Sequence, residues 1–218
     1  MPVGRDIMGE VLRPRGEALG WDRAILCDFD GTITLKDTAE WVLDRHADGD
    51  WQALDKDYVE GRLTLLECMS RQFSLVRTEK AQILKELDSE VGVRQGFPEL
   101  VRRARLNGSE VVIVSAGLDF VIRHYLQRMG VEGLVRLHSA RTKKLDGHIS
   151  FKFPSLRHQE SVTFKDDEVR HWQDAGATVT YIGDGVPDVD ACALADHRYA
   201  VSESRLDQEL LRRGLQHS

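Results

Sequence analysis

The stretch Ala24-Ile25-Leu26-Cys27-Asp28-Phe29-Asp30-Gly31-Thr32 decides the fold. Its four apolar residues end abruptly in two acids and a Gly-Thr turn, which is typical of a buried parallel strand with polar residues at its carboxyl end. The pattern occurs twice more: residues 110–114 precede Ser115-Ala116-Gly117, and residues 179–182 precede Gly183-Asp184-Gly185. Ligand sites of open α/β sheets lie at the carboxyl ends of the strands. The sequence therefore predicts three strands that bring their polar ends to one site.

Helical patterns separate these strands. Apolar residues recur at helical spacing from Leu118 to Met129, with Gly130 as the residue that ends the helix, and a further helix is predicted from Pro98 to Asn107. Strands that alternate with helices indicate an α/β fold. We therefore predict a Rossmann-like parallel sheet with helices on both faces.

Residues 37–90 interrupt this alternation. The stretch contains no proline, and apolar residues at helical spacing include Leu63, Leu66, Met69 and Phe73. This pattern predicts a small helical cap inserted after the first strand. The expected domains are a core of residues 1–36 and 91–218 and a cap of residues 37–90. Farther along, an Asp-Gly turn and the alternating apolar residues of 144–153 predict a β-hairpin.

Composition limits the class of protein. The 218 residues suit one domain with or without a smaller insertion, and 41% hydrophobic with 30% charged residues is a globular composition. The net charge of −6 argues against nucleic acid and anionic membranes as partners. We see no apolar stretch that suits a signal peptide or a membrane span, and the first twenty residues are expected to form a loose tail. Cys27, Cys68 and Cys192 lie far apart, which favours reduced thiols and a soluble cytoplasmic protein.

The acids at the strand ends indicate a cation site. Asp28 and Asp30 lie two residues apart, and such close carboxylates repel each other unless a cation lies between them. Mg²⁺ prefers oxygen ligands, and Asp184 and Asp188 are available to complete the set. Any one of these acid-glycine pairs is equally well explained as turn chemistry. Ile33 replaces the glycine of an EF-hand loop and Asp188 the third glycine of a dinucleotide-binding motif, so neither motif is present.

Four segments together resemble the motifs of the haloacid dehalogenase-like (HAD) superfamily of phosphotransferases. Residues 28–34, with the sequence DFDGTIT, resemble the first motif, and Val114-Ser115-Ala116-Gly117 resembles the second. Lys165 stands for the third motif, and residues 183–188, GDGVPD, resemble the fourth, GDxxxD. The motifs occur in the family's order and span nearly the whole chain, and the first and fourth are jointly specific.

This resemblance implies roles for the acids. Asp28 would be the nucleophile that forms an aspartyl-phosphate, and Asp30 would be the general acid and base. Mg²⁺ would be held by Asp28, the backbone carbonyl of Asp30 and Asp184, with Asp188 orienting metal-bound water from behind. Members that cleave carbon–halogen bonds lack an acid at the position of Asp30, so dehalogenation is disfavoured.

The resemblance also implies a phosphate-binding loop and a cation. Ser115 and the N–H groups around Ala116 and Gly117 would bind the phosphate, and Lys165 would supply a fixed positive charge. Lys165 opens a predicted helix, where a lysine is disfavoured by ~0.3–1 kcal/mol. This misfit favours a functional role, and a solvated surface lysine is the alternative.

The cap resembles that of the phosphoserine-phosphatase-like branch, which includes methionine-salvage phosphatases. Asp37 corresponds to a Glu that reads the substrate amine in phosphoserine phosphatases, but it also forms a capping box with Glu40, so both roles stay open. Gln72 replaces an Arg that binds the substrate carboxylate there, with Arg71 beside it. The loss of a bidentate clamp argues for a substrate without an amino-acid head group.

We therefore expect a Mg²⁺-dependent phosphatase that hydrolyses a small phosphorylated metabolite, closest to the methionine-salvage type. A phosphoserine phosphatase is the alternative substrate class, and a phosphotransferase or phosphomutase would share every catalytic residue. A non-catalytic protein that binds a phosphorylated ligand is the alternative of a different class. It is disfavoured because a binding protein has no need of Asp30.

Overall fold

The computed structural model describes residues 20–145 and 148–218, so all of the expected N-terminal tail except Gly20 lies outside the described residues. The helices are α1 Thr38–His46, α2 Trp51–Val59, α3 Leu65–Ser74, α4 Lys80–Glu90, α5 Phe97–Leu106, α6 Asp119–Arg128, α7 Phe164–Asp174, α8 Val189–Leu194 and α9 Arg205–Arg212. The strands are β1 Arg23–Cys27, β2 Ser109–Ser115, β3 Arg136–Ser139, β4 Arg141–Leu145, β5 His148–Lys152, β6 Thr178–Gly183 and β7 His197–Ala200.

The main sheet has five parallel strands in the order β3-β2-β1-β6-β7. β1 lies in the centre, and its last residue, Cys27, is opposite Ile113 of β2 and Ile182 of β6. The three strands predicted from the sequence are therefore neighbours, and their carboxyl ends meet. The predicted α/β fold is confirmed, and this meeting point is where the site forms.

Each face of the sheet is covered by its own hydrophobic cluster. Side chains alternate along a strand, so Leu26 packs on one face with α7, α8 and α9, while Cys27 packs on the other. On β2, Val112 joins the cluster of Leu26 and Ile113 joins that of Cys27. β2 is buried along its whole length, as expected for a strand covered on both sides.

The predicted insertion consists of α1 to α4. Three of these helices begin at a residue whose side chain accepts a backbone N–H bond, namely Asp37, Asp50 and Thr64. The apolar side chains of the insertion join the same cluster as Cys27 and Ile113 instead of forming a cluster of their own. The division into two domains stays a prediction.

The predicted hairpin is formed by β4 and β5, which pair antiparallel, although its Asp146-Gly147 turn lies outside the described residues. It lies against α3, where Phe151 meets Phe73 at a ring distance of 5.2 Å. The helix predicted from Pro98 to Asn107 is observed as α5, which begins and ends one residue earlier, so Pro98 is its second residue. Gly96, at φ 90°, adopts the left-handed conformation that caps this helix. Within the described residues, no helix has the length and apolar character needed to span a membrane.

Candidate active site

Asp28 lies at the centre of the site because it follows the central strand. Its N–H donates to the carbonyl of Ile182 at 2.9 Å, which extends the pairing with β6 by one residue. The Asp28 residue is 7% exposed, and Oδ1 of its carboxylate lies 3.0 Å from Nζ of Lys165. Burial and the charge of Asp188 raise the pKa of Asp28 well above its usual range.

Lys165 reaches this centre from the first turn of α7. The lysine side chain is buried, and its Nζ also lies 2.6 Å from Oδ1 of Asp188. Burial opposes its charge, but Asp188 and Asp28 outweigh that effect and raise the pKa of Lys165. The lysine therefore points into the site with its charge retained, which explains its misfit at a helix start.

Asp188 bonds to Lys165 and to the loop that follows β6. Its Oδ1 accepts hydrogen bonds from Lys165 and from the hydroxyl of Tyr181, the latter at 2.7 Å. Its Oδ2 accepts from the backbone N–H groups of Asp184 and Gly185, at 3.2 and 3.0 Å. A side chain at Gly183 would place its Cβ 2.7 Å from the Asp188 carboxyl carbon, so this strand end requires glycine. Asp188 is therefore fully buried, and each of its two carboxylate oxygens accepts two hydrogen bonds.

Asp184 is held by the loop after Asp28. Thr32 donates its hydroxyl hydrogen to Oδ1 of Asp184 at 2.7 Å. Gly31, at φ 74°, packs so closely that a Cβ there would lie 2.3 Å from Oδ2 of the same carboxylate. Burial raises the pKa of Asp184. The Gly-Thr turn read from the sequence thus contacts the acid of the fourth motif.

Asp30 belongs to a separate set of contacts. Thr38, at the start of α1, donates to Oδ1 of Asp30 from its N–H at 2.9 Å and from its hydroxyl at 2.5 Å. The other oxygen, Oδ2, faces the loop after β2, since a Cβ on Gly117 would lie 2.2 Å from it. Burial and the charge of Asp37 raise the pKa of Asp30 to about 7. This value suits a group that exchanges a proton near neutral pH.

The loop after β2 provides the predicted phosphate-binding residues. Ser115 is 1% exposed, and its Oγ accepts a hydrogen bond from the N–H of Gly117 at 3.0 Å. Ala116 is partly buried between them, and α6 begins two residues after Gly117. The loop therefore lies next to Asp30 and precedes the N-terminus of a helix, where anions are favoured.

A family model described as haloacid dehalogenase-like hydrolase matches residues 25–193. The chain belongs to this family of hydrolases. Among its relatives, the 2-hydroxy-3-keto-5-methylthiopentenyl-1-phosphate phosphatase of Bacillus velezensis is 27% identical over 181 residues, which are 81% of this chain and 76% of that protein. The enzyme of the same name from Brevibacillus brevis is 26% identical over 199 residues, 89% of this chain and 88% of that protein.

Solved structures share the fold of this hydrolase. A HAD family hydrolase from Salmonella enterica serovar Typhi superposes with a TM-score of 0.66 at 15% identity, covering 90% of this chain and 67% of that chain. A phosphoserine phosphatase with an analogue of its phospho-aspartyl intermediate gives a TM-score of 0.61 at 18% identity, covering 90% of this chain and all of that one. The predictions of a HAD-type fold and of a HAD-type phosphatase are thus confirmed.

The acids of this hydrolase fit a divalent cation. Within the described part of the chain, carboxylate oxygens of Asp28, Asp184 and Asp188 all lie within 4.8 Å of one another. Lys165 alone cannot balance the two buried carboxylates of Asp28 and Asp188 and the half-buried one of Asp184, and hard oxygen donors are what Mg²⁺ prefers. The ligand set predicted from the sequence differs: it consists of Asp28, the backbone carbonyl of Asp30 and Asp184, with Asp188 behind these ligands. That ligand set stays a prediction, although the bonds of Asp188 to Lys165, Tyr181 and two amides favour it.

The two predicted cap residues of the hydrolase have different surroundings. Asp37 is exposed, and its carboxylate accepts the N–H of Glu40 at 2.8 Å, so the Asp37 half of the predicted capping box is present. Gln72 is 5% exposed, and its amide donates to the carbonyl of Trp51 at 3.3 Å within the cap. Asp37 thus lies beside Asp30, whereas Gln72 already has a partner in the packing of α2 against α3.

Sequence reasoning missed Thr32, Thr38 and Tyr181 of this site. Thr32 was identified only as part of the first motif, and nothing in the local sequence indicates its bond to Asp184, which lies 152 residues away. Tyr181 lies on β6 one strand repeat before Gly183, so the alternation of side chains was a usable signal that it faces inward. No local pattern marks Thr38, because its contact depends on how the cap meets the sheet.

Proposed function

We propose that Asp28 is the nucleophile of this phosphatase and that hydrolysis proceeds through an aspartyl-phosphate. A carboxylate oxygen of Asp28 attacks phosphorus, the bond from phosphorus to the ester oxygen breaks, and Asp30 gives its proton to that oxygen. Water then attacks the aspartyl-phosphate, Asp30 takes the proton of that water, and inorganic phosphate leaves with Asp28 restored. The observation that carries this proposal is the placement of Asp28 against Lys165 while Asp30 is held separately by Thr38.

The remaining residues position the phosphoryl group. Lys165 holds positive charge beside Asp28, where phosphate oxygens must come close to a carboxylate. Ser115 and the N–H groups of the loop at Ala116 and Gly117 lie next to Oδ2 of Asp30 and bind the other side of the group. Asp188 keeps Lys165 in its bonded position.

We further propose Mg²⁺ as the cofactor, held by Asp28, the carbonyl of Asp30 and Asp184. Bound there, it would offset the repulsion between carboxylates and phosphate and stabilise charge on the phosphoryl oxygens. The raised pKa values of Asp28 and Asp184 support this assignment, because a nearby cation favours the charged forms that burial disfavours.

For the substrate, we propose 2-hydroxy-3-keto-5-methylthiopentenyl 1-phosphate or a close analogue. Relatives named for this ester match most of the chain at 26–27% identity. The compound has neither amine nor carboxylate, which agrees with Gln72 at the position of a carboxylate-binding Arg and with the bond that Gln72 makes inside the cap. Phosphoserine is the second candidate, supported by exposed Asp37 beside Asp30, which could read an amine.

A location in the cytoplasm is also proposed. The three cysteines, Cys27, Cys68 and Cys192, are all buried as free thiols, which suits a reducing compartment. The net charge of −6 favours a small phosphorylated metabolite over a polyanion as the partner.

The test measures phosphate release from the ketopentenyl phosphate, from phosphoserine and from p-nitrophenyl phosphate, with Mg²⁺ and with EDTA. We expect Mg²⁺-dependent turnover that is highest with the first ester and is abolished in Asp28→Asn. Asp44→Asn is the matched control, because Asp44 is an exposed acid of α1 and its change leaves the site intact.

Other outcomes separate the alternatives. Preference for phosphoserine would contradict the proposed substrate but retain the mechanism. Transfer of phosphate to added alcohols in preference to water would indicate a phosphotransferase or phosphomutase. Tight binding of the esters without turnover in Mg²⁺ would favour the non-catalytic binding protein.

A further inference from the structure

Arg94 is a cation next to the site for which the proposed mechanism has no use. It lies on the segment that leads from α4 of the cap back to α5 of the core. Among the residues that the structure describes, no carboxylate lies in ion-pair contact with Arg94. Its guanidinium instead donates from Nε to the carbonyl of Thr32 at 2.9 Å and from Nη2 to the carbonyl of Gly31 at 3.1 Å.

These two carbonyls belong to Gly31 and Thr32, which contact the carboxylate of Asp184. Gly31 packs its backbone against Oδ2 of that carboxylate, and Thr32 donates its hydroxyl hydrogen to Oδ1. Both oxygens of Asp184 are therefore positioned by a two-residue segment whose own carbonyls are held by Arg94. A planar guanidinium suits this task, because its fixed donors can grip two acceptors at once.

The backbone around Arg94 strengthens the same contact. The N–H of Arg94 donates to the carbonyl of Ile33 at 2.7 Å, and Leu35 donates to Gly92 at 2.9 Å. Thr34 and Val93 form an antiparallel bridge between these bonds. The segment that enters the cap and the segment that leaves it are thus paired, and Arg94 lies at the end of the pairing nearest to Asp184.

We propose that Arg94 is a positioning residue for the cation site: it fixes Gly31 and Thr32 against Asp184 and so sets how tightly the site binds a divalent ion. This inference rests on the proposed cation site. It assigns to the return segment of the cap a direct influence on metal affinity, through two carbonyls and one carboxylate.

The test measures binding of Mn²⁺ alone by calorimetry in the wild type, Arg94→Met, Arg94→Lys and Arg103→Met. We expect Mn²⁺ affinity to fall about tenfold in Arg94→Met. Arg94→Lys keeps the charge but offers a single donor atom, so its affinity should be intermediate. Arg103→Met is the matched control, since Arg103 is an exposed arginine of α5 that pairs with Glu99, and the Mn²⁺ affinity of this variant should equal that of the wild type.

A double-mutant cycle with Thr32→Val tests whether the two residues act in series. If Arg94 acts through Thr32 and Gly31, the double variant should bind Mn²⁺ only slightly more weakly than the weaker single variant. Effects that multiply, an Arg94→Met affinity within twofold of the wild type, or an Arg94→Lys affinity equal to the wild type would each overturn the role given to Arg94. Failure of the wild type itself to bind Mn²⁺ would overturn the cation site on which the inference rests.

Discussion

Asp30 is the acid of the site whose carboxylate is bonded by a residue of the cap. Asp28 and Asp188 meet Lys165 of α7, and Asp184 meets the Gly-Thr turn, but Oδ1 of Asp30 is bonded by Thr38 of the cap. Because both hydrogen bonds of Thr38 go to Oδ1, the oxygen left to carry a proton is Oδ2. That oxygen faces Gly117 and the loop that binds phosphate in our proposal.

Thr38→Val should therefore impair acid catalysis selectively. The change removes one of the two bonds to a carboxylate, and a hydrogen bond to a charged group contributes roughly 1.5–3 kcal/mol, which corresponds to about 10- to 100-fold in rate. We expect kcat/KM for an alkyl phosphate, which reports the steps up to release of the leaving group, to fall by that factor. The kcat/KM for p-nitrophenyl phosphate should change little, because its leaving group is a stable anion that needs no proton.

The measurement is kcat/KM for both esters in the two proteins, because kcat also contains hydrolysis of the aspartyl-phosphate, in which Asp30 takes the proton of water whichever ester was cleaved. Thr78→Val is a suitable control, since it is the same substitution within the cap and removes a hydroxyl hydrogen bond to His46 while leaving Asp30 untouched. An equal loss for both esters would show that Thr38 supports folding of the site and does not orient the acid.

At the scale of elements, α7 is anchored by an acid that bonds to the loop before the helix. Asp167 is fully buried and accepts four hydrogen bonds from the preceding loop. Two come from the N–H groups of Arg157 and His158, at 2.7 and 2.9 Å, and two from their side chains, each at 2.8 Å. This loop connects the hairpin to α7, whose first turn carries Lys165. The bonds of Asp167 to the loop therefore fix the position of that turn.

Asp167→Asn should destabilise the protein by about 3 kcal/mol at pH 7, because it removes a buried carboxylate charge that pairs with Arg157 and His158, while Arg157 keeps its pair with Glu168. The side chains and N–H groups of Arg157 and His158 outweigh burial and hold the pKa of Asp167 well below its usual range. A lowered carboxyl pKa stabilises the fold above the pKa of the unfolded chain, and this contribution is lost as the pH falls. Urea unfolding of both proteins from pH 7 to pH 3 should show their difference shrink below about pH 4. A difference that is constant with pH would exclude this origin.

The elements also show what sequence can supply. The strands at 24–27, 110–114 and 179–182 were predictable because each is a mainly apolar run that ends in polar residues and glycine, and the hairpin because of its Asp-Gly turn. β3, Arg-Leu-His-Ser, and β7, His-Arg-Tyr-Ala, were missed because these four-residue edge strands mix polar with apolar residues and contain no such run. The order of the strands was beyond reach, since the two pairings of the central strand β1 join residues 86 and 155 positions apart.

At the scale of the whole molecule, the cap and one face of the sheet share a hydrophobic cluster. Phe73 and Leu87 of the insertion, Val121 of α6 and Ile113 of β2 all belong to it. The sequence indicated a separate cap, because composition and periodicity change at residue 37. Periodicity shows which side of a helix is apolar, but it does not show which element that side contacts. For the same reason, the bond between Thr38 and Asp30 could not be predicted.

A shared cluster predicts that cap and core unfold together. Phe73 is fully buried between the cap and the hairpin, where Phe151 packs against it. Phe73→Ala should cost ~3–5 kcal/mol, which for a chain of this size lowers the melting temperature by on the order of 10 °C. In differential scanning calorimetry we expect one transition in both proteins, displaced as a whole in the variant. Val59→Ala, on an exposed residue of α2, should leave the transition unmoved. Two transitions, with only one lowered by Phe73→Ala, would mean that the cap folds as a unit of its own, and the hydrogen bond from Thr38 to Asp30 would then be broken each time that unit opens.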